Sequence, residues 1–122
     1  MEIMNKEEFE EMILKILENV PEKFKKKLDN LSIVVEENEM VYTGSGNASD
    51  KRLTLGLYHG VPITARPGKR IIMPDKITIY KKSLESISSS REELEKNTRR
   101  VVLHELGHYF GLGEDRLHEL GY

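Results

Sequence analysis

Residues 104 to 108 read His-Glu-Leu-Gly-His, a spacing that suits metal binding and water activation. On a helix, residues four apart project from one face about one turn apart. His104 and His108 can therefore both reach one ion at ~2.0–2.1 Å. Glu105 lies ~100° further round the helix, by the 3.6-residue period. From there it can take a proton from a metal-activated water without being a ligand, so the pattern predicts a metal-dependent hydrolase with Glu105 as general base.

A zinc site of this type needs a third protein ligand, and acidic residues follow the second histidine. Two glycines within five residues of His108 permit a sharp reversal of the chain. Such a turn would carry Glu114 back toward the histidines. We favour Glu114 as the third ligand, with Asp115 as the first alternative and His118 as a more distant one.

The composition narrows the ligand types and the function classes. The 122 residues include no cysteine, so disulfides, thiolate zinc sites and cysteine nucleophiles are excluded. Any metal must be held by His, Asp or Glu. There are 19 basic and 21 acidic residues, a net charge of −2, and no basic stripe that would favour nucleic acid.

The motif and its surroundings resemble a known family. HELGHYFGLGE resembles the extended His-Glu-x-x-His-x-x-Gly-x-x-His/Asp motif of the metzincins. The whole chain resembles the small bacterial zincin-like metallopeptidases, or mini-zincins, chiefly over LYHGVPIT (57–64), PDKITIY (74–80), VVLHELGHYFGL (101–112) and DRLHELGY (115–122). The resemblance implies a minimal zincin-like fold and zinc peptidase chemistry.

Two departures from these relatives matter. The position of Glu114 is usually Asp in the small family, which keeps Asp115 open as the ligand. All five methionines precede the motif, so the chain has no methionine turn of the metzincin type.

Two helices are expected to form the frame of the domain. Asn5 to Val20 predicts a helix with an Asn5–Glu8 capping box and an apolar stripe. Ser90 to Gly111 predicts the long site helix, with a Ser90–Glu93 capping box and a glycine end. Shorter helical turns are expected around residues 24–28, 83–87 and 117–122.

Three short apolar segments predict strands: Leu31–Glu36, Leu53–Tyr58 and Lys76–Tyr80. Glu37 to Arg52 reads as a long exposed loop, and His59 to Pro74 as an irregular segment. In larger zincins an edge strand beside the site helix holds the extended peptide. By analogy Lys76–Tyr80 is either that edge or an ordinary strand.

Together these features predict a single α+β domain over residues 1–122, with a small mixed sheet packed against an N-terminal helix and the site helix. The predicted function is peptide-bond hydrolysis with one Zn²⁺ per chain held by His104, His108 and Glu114. The alternative is a non-catalytic metal-binding interaction module. We expect a peptide or protein substrate, no nucleic acid and no membrane partner. A cytoplasmic location is expected, because the N-terminal residues lack the pattern of a signal peptide.

Overall fold

The computed structural model describes residues 3–28, 31–44, 52–60 and 75–121. The helices in these ranges are α1 (Lys6–Glu18), α2 (Glu22–Lys25), α3 (Lys81–Ser86), α4 (Arg91–Tyr109) and α5 (Glu114–Glu119). The strands are β1 (Leu31–Glu36), β2 (Val41–Thr43), β3 (Arg52–Thr54), β4 (Gly56–His59) and β5 (Asp75–Tyr80). None of these helices is both long enough and apolar enough to span a bilayer.

Helix α1 begins at the predicted capping box. The Glu8 amide donates to the Asn5 side chain at 2.8 Å, and the Asn5 amide donates back to the Glu8 carboxylate at 3.2 Å. These bonds satisfy backbone donors that the first helical turn leaves without partners. The apolar stripe of α1 packs against α4, where Phe9 is 0% exposed. This packing confirms the predicted N-terminal helix and its buried face.

A three-stranded mixed sheet supports α4 from its other side. Its order is β1-β5-β4, with β1 parallel and β4 antiparallel to β5. Strand β5 is therefore central, so of the two readings left open for Lys76–Tyr80 the structure excludes the edge and leaves the ordinary strand. Ile77 and Ile79 are both 0% exposed and belong to the hydrophobic core that β5 shares with α4. The edge next to α4 is β4, whose residues contact that helix.

Two further expectations about the strands are corrected. The predicted strand Leu53–Tyr58 is interrupted at Leu55, where the chain passes from one sheet to the other. Strand β3 pairs with β2, whereas β4 pairs with β5. Strand β2 lies inside the predicted loop Glu37–Arg52, because pairing with β3 gives this polar segment a backbone partner. Residues 61–74 of the predicted irregular segment lie outside the described residues.

Helix α4 is 19 residues long and begins one residue after its cap, Ser90. The Glu93 amide donates to the Ser90 hydroxyl at 3.1 Å, as predicted, but the Glu93 carboxylate accepts from the Ser89 hydroxyl instead. Half of the expected capping box is therefore formed. The element order and packing confirm the predicted α+β class with a small mixed sheet.

Thr98 provides a test of the packing around α4. Its side chain is 0% exposed, and its hydroxyl has no hydrogen-bond partner within the described part of the chain. We expect Thr98→Val to raise the free energy of unfolding by about 1 kcal/mol, since it removes an unpaired buried hydroxyl and keeps the shape. Urea denaturation measures the change. Thr98→Ser is the control: it keeps the hydroxyl, loses the methyl group and should destabilise. Greater stability of the Ser variant than of the Val variant would contradict this account.

Candidate metal centre

The two histidines project from the last turns of α4 toward the same point. The Nε2 atoms of His104 and His108 lie 3.2 Å apart, and the rings are inclined at 79°. Both side chains are about one-quarter exposed. The four-residue spacing therefore places two imidazole nitrogens side by side at an accessible position.

A tight turn after α4 returns the chain toward these nitrogens. The Leu112 amide donates to the Gly107 carbonyl and the Gly111 amide to the His108 carbonyl, each at 2.9 Å. Gly111 adopts a φ of 88°, which glycine tolerates without steric cost. This pair of bonds is the Schellman arrangement of a helix C-terminus. Helix α5 then begins at Glu114, next to the end of α4.

The Glu114 carboxylate completes a small triangle of donor atoms. Its Oε1 lies 2.8 Å from His108 Nε2 and 3.3 Å from His104 Nε2. A tetrahedral zinc ion with bonds of ~2.0–2.1 Å requires ligand atoms roughly 3.3 Å apart. The donor types and separations therefore fit a zinc ion.

The other two candidate ligands are placed differently. Asp115 and His118 both lie on α5 and are exposed. Within the described residues, neither makes a hydrogen bond or ion pair with the histidine side chains. Of the three candidates, the structure brings Glu114 to the histidines.

A backbone carbonyl orients one of the rings. The Leu112 carbonyl lies 3.2 Å from His108 Nδ1. With the proton on Nδ1, the ring donates to this carbonyl and presents the Nε2 lone pair to a metal. Such outer contacts fix the tautomer and orientation of metal-binding histidines.

Glu105 occupies a different environment from Glu114. It is 8% exposed, and its Oε1 accepts a hydrogen bond from the Tyr58 amide at 3.0 Å. Its carboxylate and the two histidine nitrogens lie within 4.8 Å of one another. The backbone contact on β4 holds Glu105 beside the triangle, whereas Glu114 is part of it.

The two carboxylates also differ electrostatically. Burial raises the pKa of Glu105 above its ordinary value, and this outweighs the opposing effects of the histidines and the Tyr58 amide. Desolvation also raises the pKa of Glu114, but the two adjacent histidines outweigh it, and the net shift is downward. Glu105 is thus biased toward accepting a proton, and Glu114 toward remaining anionic.

A cavity of about 600 Å³ opens in front of the triangle. Its walls come from β4, from α4 and from the turn before α5. The Tyr80 amide donates to the Leu55 carbonyl. Residues of an antiparallel strand alternate between bonding to the partner strand and facing away from it. The backbone groups of Gly56 and Tyr58 therefore face away from β5. The outward edge of β4 therefore borders the cavity.

The structure brings together the histidines and both glutamates that the sequence analysis singled out, but that analysis missed the groups that position them. The Tyr58 amide and the Leu112 carbonyl are backbone atoms, which leave no side-chain signature in a sequence. Gly56 was a usable signal, because a glycine inside a strand often marks a close approach of another element. A Cβ at Gly56 would lie 2.5 Å from the Val101 side chain on α4.

Comparison with known proteins identifies the family. The profile of the zincin-like metallopeptidase family matches residues 28–122, which is more than half of the chain. The chain belongs to the zincin-like metallopeptidase family. Membership in the zincin-like family, together with the cluster of His104, Glu105 and His108, supports the binding of a metal ion.

The fold has a counterpart among solved structures. A conserved hypothetical protein from Thermus thermophilus superposes with a TM-score of 0.54 at 23% sequence identity, over 96% of this chain and 97% of that one. At this identity the likeness concerns the fold alone, and it agrees with the predicted minimal zincin-like architecture. No curated protein matches the chain.

The contact between Gly56 and Val101 can be tested by a double-mutant cycle. Gly56→Ala should cost about 1–3 kcal/mol of unfolding free energy, since overpacking forces β4 and α4 apart. In a Val101→Ala background the same change should cost less, because the opposing methyl group is gone. Urea denaturation gives the four stabilities. Equal costs in the two backgrounds would show that this contact does not set the spacing.

Hydrogen exchange at the Tyr58 amide gives a second readout of the same change. The amide should exchange faster in Gly56→Ala, because the bond to Glu105 lengthens as the elements separate. Unchanged protection of Tyr58 would contradict that link.

Proposed function

We propose that this chain is a zinc-dependent metallopeptidase that hydrolyses peptide bonds with Glu105 as general base. The observation that carries the proposal is the triangle of His104 Nε2, His108 Nε2 and Glu114 Oε1, with separations of 2.8–3.3 Å, at the edge of an open cavity. Three protein ligands and an accessible fourth position are typical of catalytic zinc sites, whereas structural sites use four protein ligands.

His104, His108 and Glu114 would hold one zinc ion. When bound, zinc lowers the pKa of a coordinated water and polarises a substrate carbonyl. The two neutral imidazoles and one carboxylate leave a net positive charge at the ion, which favours both effects. The Leu112 carbonyl keeps His108 in the tautomer that can donate its Nε2 lone pair.

Glu105 takes the proton of the attacking water and later delivers it to the leaving amine. Its burial supports this role, since a raised pKa brings the carboxyl closer to the pH at which proton transfer is efficient. The Tyr58 amide holds Oε1 at 3.0 Å, which restricts the carboxylate without neutralising it. The second carboxylate oxygen is then the atom that exchanges the proton.

The proposed substrate is an extended peptide lying along the outward edge of β4. Edge strands bind peptides through main-chain hydrogen bonds, while side-chain pockets give selectivity. The placement is supported by the outward edge of β4 and the histidines, which border one cavity. The Tyr58 amide already donates to Glu105, so the peptide bonds to the other backbone groups of this edge. This role replaces the one that the sequence had offered to Lys76–Tyr80.

The ligand assignment predicts different zinc affinities for neighbouring variants. His104→Ala, His108→Ala and Glu114→Ala should each weaken zinc binding by more than about 100-fold, since loss of an outer contact alone costs roughly 10–100-fold. Asp115→Ala is the matched control, one residue along α5, and should bind zinc normally. Competition titration with a chromophoric chelator measures the affinities. A larger loss in the Asp115 variant than in the Glu114 variant would reverse the assignment.

The proposed role of Glu105 predicts that a substitution there abolishes peptide hydrolysis without removing the zinc ion. Glu105→Gln should keep the fold and the zinc but lose about 10²–10⁴-fold in the rate of peptide hydrolysis, because the amide cannot act as a base. A peptide library screened with zinc-loaded protein supplies the substrate, and elemental analysis checks the metal. Equal rates for the wild type and the Gln variant would refute the mechanism. Absence of any cleavage by zinc-loaded wild-type protein would favour a non-catalytic metal-binding module.

A further inference from the structure

A second cavity of about 550 Å³ lies on another side of α4, between that helix, the α1–α2 segment and α5. We call it the helical groove. Its lining includes Arg99, Leu103 and Leu106 of α4 and Phe110, the C-cap of that helix. These residues form a helical stripe that runs about 16 Å along the axis at 1.5 Å per residue. The groove is therefore elongated in the direction of α4. Of the residues described around the two cavities, only Leu112 borders both.

The floor and walls of the helical groove are mainly apolar. Its apolar contributors with exposed or partly exposed side chains include Phe24, Leu103, Phe110, Leu112 and Leu120. Phe24 and Phe110 contact each other, with ring centroids 5.2 Å apart. Leu120 is 46% exposed, a large fraction for a leucine beside other apolar groups. The volume falls within the roughly 300–1,000 Å³ of small-molecule sites, which are likewise mostly apolar with a few polar groups.

The charged side chains that line the groove in the described part of the chain are all basic. Lys27, Arg99 and Arg116 line it, and no acidic residue is among its described lining residues. This bias runs against the composition, since the chain has more acidic than basic residues. Arg116 pairs with Glu119 at 3.0 Å, whereas Lys27 and Arg99 form no ion pair in the described ranges. Two cationic groups can therefore pair with an anionic ligand.

We propose that the helical groove binds a fatty carboxylate, with its alkyl chain along the apolar stripe of α4 and its carboxylate at the cationic rim. An elongated apolar floor suits one flexible chain, and a positive rim selects an anionic head group over a neutral or cationic one. The site is distinct from the metal centre and does not depend on the proposed peptidase activity.

Isothermal titration calorimetry of zinc-loaded protein with decanoate tests the proposal. We expect saturable binding with a negative heat-capacity change, the mark of apolar burial. Octanoate should bind more weakly, by roughly threefold to fourfold per CH₂ removed. Decanol should bind more weakly than decanoate, and decyltrimethylammonium more weakly still. Equal affinity for the cationic and anionic amphiphiles would overturn the proposal.

Matched charge-removing variants locate the head group. Arg99→Gln or Lys27→Gln should weaken decanoate binding by about twofold to fivefold, the range of an exposed ion pair, and leave decanol binding unchanged. Arg100→Gln is the control. Arg100 is the neighbour of Arg99 and carries the same charge, but it does not line the groove. An effect of Arg100→Gln as large as that of both lining variants would exclude a specific head-group site.

Chemical-shift mapping distinguishes the groove from the metal centre, where a carboxylate could also bind. Decanoate should shift the Leu103 and Leu120 methyl signals and the Phe110 ring signals, and acetate should not. Decanoate shifts confined to the residues around His104 and Glu114 would overturn the proposal. The proposal would also be overturned if the groove bound an acidic amphipathic peptide but not decanoate, since the groove would then serve protein docking.

Discussion

The close approach of β4 to α4 at Gly56 determines the geometry of the metal centre. No side chain separates the strand from Val101 at this point, so the edge of the sheet lies directly against the helix that carries both histidines. The Tyr58 amide can then reach the Glu105 carboxylate at 3.0 Å. A wider spacing would leave Glu105 buried without that hydrogen bond, which is costly for a carboxylate. The same approach brings the outward edge of β4 to the mouth of the cavity.

The end of α4 contributes the second constraint. The Schellman bonds reverse the chain within three residues and start α5 beside the helix that has just ended. Leu117, 1% exposed, packs on α4 where Gly107 offers no side chain. The two glutamates consequently occupy contrasting surroundings. Glu105 is enclosed and its raised pKa biases it toward protonation, while Glu114 lies beside two imidazoles and its lowered pKa favours the anion. One local sequence therefore supplies a candidate base and a candidate ligand.

Helix α4 also separates two cavities of different character. One is bordered by histidines, glutamates and a strand edge, and the other by apolar side chains with basic residues at the rim. Leu112 borders both, and its carbonyl orients His108. The turn after α4 therefore contacts both the helical groove and the metal centre.

The sequence by itself determined the features that depend on local periodicity and residue chemistry. Four-residue spacing placed His104 and His108 on one face, the absence of cysteine restricted the ligands, and the Asn5 capping box fixed the start of α1. The sequence left the choice between Glu114 and Asp115 open, because adjacent acidic residues differ only in how the turn directs them. It also left open whether Lys76–Tyr80 is the sheet edge, since strand order depends on pairing between distant segments. Only the tertiary structure put β5 at the centre, β4 against α4, and the Tyr58 amide and Leu112 carbonyl beside the site. Those contacts join backbone atoms to side chains that are distant in the sequence, and no residue type predicts them.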